Sequence, residues 1–249
     1  MAAPQLAAGE IHLWWIDLDD SAADPAALSA AERARAARLQ LIHDQRRHVA
    51  AHAARRAILA RYVGVAAAAL EFVADAAGKP ALDADKHGRR APVFNLSHSD
   101  RHAALAIARE GRIGVDLELA RPDPQRALLL ELLAPGERAA AGALDDAAFS
   151  SAFHVAWTRK EACLKALGSG FSVHPSRVDA GIESGPRVVM LAADDAPAAA
   201  DSQLPVHVVT LWSRAAVPTS LARVGTPIGA LRRFHLPALP GSGFHGEIR

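Results

Sequence analysis

The sequence contains 249 residues, of which 28 are basic, 27 are acidic and 51% are hydrophobic, with a formal net charge of +1. This length fits one large domain or two small ones, and the hydrophobic fraction can build an ordinary core. The balanced charge argues against a protein that wraps nucleic acid, whose surface would be strongly basic. Cys163 is the only cysteine, which excludes an intrachain disulfide and fits a cytoplasmic setting.

The chain shows no predicted leader and no predicted membrane span. Residues 1–10 lack a basic segment followed by an apolar run, so we predict no signal peptide. No stretch approaches the ~20 apolar residues that a transmembrane helix needs. We therefore expect a cytoplasmic protein without membrane contacts.

The first half of the chain predicts a strand, two helices and further strands. Ser29 and Glu32 form a capping-box pattern that begins a helix, and Asp44 can cap a second helix that ends near Gly64. A tight turn is predicted at residues 78–80. Strands are predicted at residues 11–18, 70–73, 93–96 and 103–108.

The second half repeats this order, with a strand at residues 112–119, helices at 134–143 and 146–167, and strands near 177–181, 187–191 and 206–212. The repetition predicts two similar halves, residues 1–110 and 111–225. Residues 226–249 are rich in Pro, Gly and Arg and lack periodicity, so we expect a loosely docked or flexible tail.

Two acids share one predicted strand. Side chains alternate between the faces of residues 112–119, which places Asp116 and Glu118 on the same face. Neighbouring carboxylates repel each other, and burial strengthens the repulsion. Mg²⁺ would relieve it, because this cation prefers oxygen ligands and keeps waters and substrate phosphates. The alternative is an ordinary polar, solvated face of a strand.

A third acid lies on the long helix predicted at residues 146–167. Trp157, Glu161 and Lys165 are spaced four residues apart and therefore lie along one stripe. The stripe predicts either a reaction site or a surface ion pair worth about 0.3–0.5 kcal/mol, with Trp157 anchored in the core.

Two further segments indicate anion binding. Residues 32–61 contain eight arginines and only two acids, which favours either a solvated helix face or a phosphate site. His98 stands among short polar residues after a predicted strand. This pattern predicts either a turn held by Asn and Ser side chains or a contact with phosphate.

Taken together and in this order, these segments resemble the Sfp-type 4′-phosphopantetheinyl transferases. The resemblance depends on four motifs within about residues 11–212, which are Gly78-Lys79-Pro80, Phe94-Asn95-Leu96-Ser97-His98-Ser99, Gly114-Val115-Asp116-Leu117-Glu118, and residues 157–168. The last is close to the family's W-[ST]-x-K-E-A-x-x-K-x-x-G signature. The resemblance implies an α+β fold of two similar subdomains, each a small antiparallel sheet packed on a long helix, with the coenzyme cleft between them.

The resemblance also implies roles for individual residues. The metal ligands for Mg²⁺ would be Asp116, Glu118 and Glu161. The catalytic residues would be Lys165, close to the transferring phosphate, and a base, with Glu161 as first choice and Glu118 as second. The coenzyme-binding residues would be Lys79, Ser97, His98, Arg47 and Arg35. His48 stands where the family often has a small hydroxyl residue.

The implied activity is the Mg²⁺-dependent transfer of 4′-phosphopantetheine from coenzyme A to a serine of an acyl or peptidyl carrier protein. This is a holo-acyl-carrier-protein synthase reaction, which releases 3′,5′-adenosine bisphosphate. We expect a monomer that has coenzyme A and carrier domains as partners and no nucleic acid. Two alternatives are a Mg²⁺-dependent hydrolase of nucleotides or diphosphates and a non-catalytic module that binds carrier domains.

Overall fold

A computed structural model describes residues 4–21, 24–75, 78–119, 125–168, 173–192 and 203–236. The chain forms two compact units. Unit 1 comprises Met1–Glu110 and Gly229–Arg249, and unit 2 comprises Gly111–Ile228. The chain therefore leaves unit 1 after residue 110 and returns to it near its end.

The described residues form helices α1 (Ala30–Ala36), α2 (Ile42–Val63), α3 (Ala84–His87), α4 (Arg126–Glu131), α5 (Pro135–Gly142) and α6 (Asp146–Leu167). The strands are β1 (Ile11–Asp17), β2 (Phe72–Ala74), β3 (Pro80–Leu82), β4 (Val93–Ser99), β5 (His102–Ala108), β6 (Ile113–Leu117), β7 (Arg187–Ala192), β8 (Gln203–Trp212), β9 (Pro218–Val224) and β10 (Leu231–His235).

Unit 1 is built on a four-stranded sheet in the order β10-β1-β5-β4, with β2 and β3 forming a separate hairpin. The strand pairs β1–β5 and β5–β4 are antiparallel. Helix α2 covers one face, where Trp14, Leu105 and Phe94 from the sheet join Ile58 and Leu59 from the helix in one apolar core. Burial of these side chains supplies the main driving force for the unit.

The Glu32 carboxylate connects α1 to α2 through hydrogen bonds. This carboxylate and the Ser29 hydroxyl form the predicted capping box at the start of α1. The same carboxylate accepts hydrogen bonds from Arg55 at 2.5 Å and from Arg56 at 2.8 Å on α2. Burial alone would raise the pKa of Glu32, but hydrogen bonds from His52, Arg56 and Ser29 hold that pKa well below its usual value.

Residues Leu231–His235 correct the expectation of a flexible tail at residues 226–249. They form β10, which pairs with β1 in parallel, and Phe234 stacks on Trp14 with ring centroids 4.5 Å apart. This edge strand has five residues, two of them arginines, so its sequence shows little of the hydrophobic alternation that predicts a strand. It forms because it pairs with β1, in the register Ile11↔Leu231, which joins residues 220 positions apart in the chain. Residues 237–249 lie outside the described part of the chain.

Unit 2 contains an antiparallel sheet in the order β6-β9-β8-β7, which packs on helix α6. The closest approach is at Gly114 of β6. A Cβ there would overlap the carbonyl oxygen of Ala162 and lie 2.5 Å from the backbone nitrogen of Ala166. Glycine therefore allows β6 to lie directly against α6.

The predicted strand at residues 177–181 is wrong. Pro175–Arg177 form a 3₁₀ turn, and the following backbone bonds to side chains instead of to a strand. Glu137 accepts hydrogen bonds from the N–H groups of Ala180 and Gly181, both at 2.8 Å. Arg159 donates to the carbonyl of Ala180 at 2.6 Å. The groups that a sheet ladder would need are already satisfied.

The α+β class and the two similar units are confirmed. Each unit carries a four-stranded sheet and one 22-residue helix. The two helices end in the same way, at Gly64 with φ 79° and at Gly168 with φ 77°, as predicted from glycine's tolerance of left-handed backbone. Unit 1 departs from a purely antiparallel sheet through β10. Among the described residues, no helix is long and apolar enough to cross a bilayer.

Candidate active site

Strand β6 and helix α6 bring Asp116 and Lys165 into contact in unit 2. The Lys165 Nζ lies 2.6 Å from Asp116 Oδ1, although 49 residues separate them in sequence. The Asp116 side chain is almost fully buried, whereas Lys165 remains partly exposed. Glu118 follows the end of β6 by one residue and is partly buried.

Glu161 interacts electrostatically with Asp116, Glu118 and Lys165. Burial raises its pKa, the negative charges of Asp116 and Glu118 raise it further, and Lys165 opposes them. Its Oε1 atom is buried and has no hydrogen-bond partner among the described residues. The three predicted acids and the predicted lysine therefore act on one another, with Glu161 carrying an unsatisfied oxygen.

The donor chemistry of this cluster fits a hard divalent cation. Three carboxylates offer only oxygen ligands, and a desolvated carboxylate beside two like charges is stabilised by positive charge. The described residues contain no three His, Cys, Asp or Glu side chains already arranged as a metal site. Instead, the Lys165 ammonium supplies positive charge to Asp116.

Three features of the sequence build this cluster locally. Asp145 caps α6 by accepting from the N–H of Ala148 at 2.9 Å, which sets where the helix begins. The i, i+4 spacing then places Glu161 and Lys165 on one stripe, and both are less buried than their neighbours on the helix. Gly114 lets β6 approach that helix two residues before Asp116.

Unit 1 contains a second candidate site, a cavity of about 670 Å³ lined mainly by α1, α2 and β4. Its polar lining comprises Arg35, Arg47, His48, His52, Arg55, Asn95, His98, Asp44 and Asp100. The predominance of nitrogen-bearing cationic or ionisable side chains fits an anionic ligand such as phosphate.

The structure places the predicted coenzyme-binding residues in different settings. Arg35 and His98 line the cavity directly. Arg47 also lines it, but its guanidinium donates to Asp19 at 3.0 and 3.1 Å and to Asp100. The hydrogen bond to Asp19 and the charges of both aspartates raise the pKa of Arg47.

Lys79 and Ser97 do not line the cavity with them. Lys79 lies in the hairpin turn between Gly78 and Pro80, which do line it, and its backbone N–H donates to Asp75 at 2.8 Å. Ser97 is buried within β4, next to His98, so the two side chains lie on opposite faces of the strand. The alternative of a turn around His98 is corrected, because β4 pairs with β5 as far as Ser99↔His102.

Sequence reasoning missed His52 and Arg55 in the cavity wall and noted His48 only as a departure from the family pattern. The three residues line the cavity from α2, at i, i+4 and i+7 spacing, which is a detectable signal for one helical face. The rings of His48 and His52 lie 4.1 Å apart, and those of His48 and His98 lie 6.2 Å apart. Three histidine rings therefore meet at one wall.

Comparison with known proteins found matching families for both parts of the chain. A model described as 4′-phosphopantetheinyl transferase, N-terminal, matches residues 14–110, and the 4′-phosphopantetheinyl transferase superfamily model matches residues 112–205.

Several named proteins are similar to the chain. The 4′-phosphopantetheinyl transferase HetI of Nostoc is 36% identical over 172 residues, which cover 67% of this chain and 72% of that protein. A putative 4′-phosphopantetheinyl transferase of Synechocystis is 37% identical over 59% of each chain. The transferase AcpT of Salmonella typhimurium is 41% identical over 100 residues, 39% of this chain and 50% of that protein.

Proposed function

This chain belongs to the 4′-phosphopantetheinyl transferase superfamily, and we propose that it moves the phosphopantetheine arm of coenzyme A onto a carrier-protein serine through the two sites described above. The observation that carries the proposal is the contact of Lys165 with Asp116 beside the electrostatically coupled Glu161. This cluster combines a base and a cation, which a phosphoryl-type transfer requires.

The reaction exchanges one phosphorus–oxygen bond for another. The serine hydroxyl oxygen attacks the phosphorus that carries the pantetheine arm, and the bond from that phosphorus to the bridging oxygen breaks. The serine loses its proton to a base, and 3′,5′-adenosine bisphosphate leaves. Such reactions depend on in-line placement of the reactants and on neutralisation of oxygen charge.

Glu161 is the base that we propose, with Glu118 as the second candidate. Its raised pKa makes it a stronger proton acceptor than an ordinary carboxylate. Lys165, held by Asp116, would neutralise charge on the leaving phosphate or donate a proton to it. Mg²⁺ held by Asp116, Glu118 and Glu161 would supply positive charge to the pyrophosphate oxygens.

The cavity of unit 1 is the proposed site for the phosphates of the coenzyme's nucleotide end. Arg35, Arg47 and His98 line this cavity, and the resemblance to the family implies a role for all three in binding the coenzyme. Lys79 and Ser97 stand on the neighbouring hairpin and on the opposite face of β4.

The partners follow from the reaction. Coenzyme A and an acyl or peptidyl carrier protein are the two substrates. We also propose that the protein works as a monomer in the cytoplasm. Cys163 is buried in the core and burial raises its pKa to about 12, so it is a packing residue rather than a reactive thiol.

A transfer assay by mass spectrometry tests this function. The full chain is incubated with coenzyme A, Mg²⁺ and a panel of carrier domains from fatty acid, polyketide and nonribosomal peptide systems. We expect at least one carrier to gain the mass of the phosphopantetheine arm. Cleavage of coenzyme A at the same rate without any carrier would instead identify a hydrolase, and carrier binding without mass gain would identify a non-catalytic module.

A further inference from the structure

His48 lines the charged cavity in unit 1. The titratable and charged groups that face it come from every element around it. On its own helix these are Asp44, Arg47, His52 and Arg55; on α1 they are Glu32 and Arg35; on β4 and in the following turn they are His98 and Asp100.

The cavity holds less positive charge than its arginines suggest. Arg47 is paired with Asp19 and Asp100, and Arg55 is paired with Glu32 at 2.5 Å. Within the described part of the chain, Arg35 is the lining arginine that forms no ion pair. A phosphate dianion in this cavity would therefore need positive charge from another group.

His48 is the group able to supply it. The ring lines the cavity, and its Nε2 atom has no hydrogen-bond partner among the described residues. Burial, together with the charges of His52, His98, Arg35 and Arg55, lowers the pKa of His48 to about 4, so the ring is neutral at physiological pH. An anion placed in the same cavity reverses the sign of the local field and favours the charged form.

We propose that His48 takes up one proton from solvent when a phosphate group of the coenzyme enters this cavity, and that its imidazolium then donates a hydrogen bond to that phosphate. This inference rests on the proposed function only in naming coenzyme A as the ligand. His48 would thus make phosphate recognition in this chain dependent on pH.

The sign of the pH dependence follows from linkage. The free cavity holds a neutral His48, and the occupied cavity holds a protonated one, so binding consumes a proton. Affinity must then fall as pH rises through the pKa of the occupied state. Because binding takes up close to one proton below that pKa, the loss attributable to His48 is at most about tenfold per pH unit.

Isothermal titration calorimetry of the full chain tests the proposal. Coenzyme A is titrated at pH 6 in two buffers of different ionisation enthalpy, which yields the number of protons taken up on binding. His48→Asn keeps a hydrogen-bond donor but removes the titratable group. His43→Asn is the matched control, because His43 lies on the same helix, is exposed and is not among the residues that line the cavity.

We expect wild type and His43→Asn to take up about one proton more than His48→Asn. Free coenzyme A carries the same phosphate protons into every titration, so the difference reports the change in proton binding at the site. Equal uptake by wild type and His48→Asn would overturn the proposal, and so would failure of the wild type to bind coenzyme A.

A parallel titration with dephospho-coenzyme A identifies the phosphate. An excess of proton uptake seen with coenzyme A alone assigns the 3′-phosphate, and an excess seen with both ligands assigns the pyrophosphate.

The proton uptake by His48 and the proposed transferase function can be contradicted independently of each other. Normal transfer to a carrier without the proton excess would sink this inference alone, whereas the proton excess without transfer would sink the proposed function alone.

Discussion

Two lysines five residues apart on α6 have opposite environments. Lys160 is fully buried, with its Nζ 2.5 Å from Glu137 Oε2 and 3.0 Å from the carbonyl oxygen of Pro175. Lys165 is partly exposed and contacts Asp116. Both belong to the motif that carries the family resemblance, yet the structure gives Lys160 a structural contact and leaves Lys165 beside the acids.

Replacing Lys160 should therefore damage stability. In Lys160→Met the Glu137 carboxylate would stay buried without its counter-ion, which typically costs about 3–5 kcal/mol. The free energy of unfolding from urea titration measures the loss. Lys86→Met, on exposed α3, is the control and should change stability by less than about 0.5 kcal/mol. Similar values for the two variants would contradict the structural role of Lys160.

We expect the Glu161 carboxylate to lower the free energy of unfolding at neutral pH, although the proposed reaction needs it as a base. Burial, Asp116 and Glu118 raise its pKa above the unfolded value, so its stabilising contribution exists at low pH and is lost as pH rises through the folded pKa. Glu161→Gln should therefore increase the free energy of unfolding at neutral pH, with the gain disappearing below about pH 4. Transfer should fall at least about a hundredfold, because the base is lost.

Urea titrations at both pH values and the transfer assay check these expectations together. Mg²⁺ should raise the melting temperature of the wild type more than that of Glu161→Gln, because the variant lacks one of the proposed ligands. A variant that is less stable than wild type at neutral pH would show that Glu161 is not a desolvated, repelled carboxylate.

At the scale of elements, the distance between β6 and α6 controls the site. Gly114 permits contact between the strand and the backbone of α6 near Ala162 and Ala166. That contact places Asp116 beside Lys165. Neither element alone determines this geometry, because the acid and the lysine lie on different segments.

Gly114→Ala should push the strand and the helix apart. The added methyl group meets backbone atoms, which cannot rotate away, so we expect a loss of about 1–3 kcal/mol or more. Transfer should fall further than the loss of folded protein explains. Gly142→Ala is the control, because a Cβ at Gly142 meets no atom within 4 Å. If Gly114→Ala had the stability and the transfer activity of the wild type, the close approach of β6 to α6 at this position would be refuted.

At the scale of the whole molecule, the end of the chain completes the sheet of its beginning. Strand β10 pairs with β1 over five residues, and Phe234 and His235 stack on Trp14 and Trp15. Unit 1 is therefore made from two separated segments of chain. Its stability depends on residues that follow all of unit 2.

Truncation isolates this contribution. A chain that ends after Ile228 loses β10, whereas a chain that ends after Leu236 retains it. We expect the shorter chain to be less stable by about 3–5 kcal/mol, the cost of removing a large aromatic side chain from a core. Thermal unfolding followed by tryptophan fluorescence compares the two, and equal melting temperatures would show that β10 contributes nothing to unit 1.

The sequence by itself determined the features that depend on a few neighbouring residues. Helix α6 spans Asp146–Leu167, the bounds predicted at residues 146–167, and the four-residue spacing places Glu161 and Lys165 on one stripe. The four ordered motifs together likewise sufficed to indicate the family. Such signals act within about one helical turn or along one strand, so they can be seen in the linear chain.

Only the tertiary structure decided which groups meet across long separations. Lys160 meets Glu137, Lys165 meets Asp116, and β10 meets β1 through contacts between distant segments. The role of His48 has the same origin, because its neutrality and its unsatisfied nitrogen come from burial among groups on several elements. Burial and electrostatic fields depend on the folded arrangement, and local residue patterns do not contain that information.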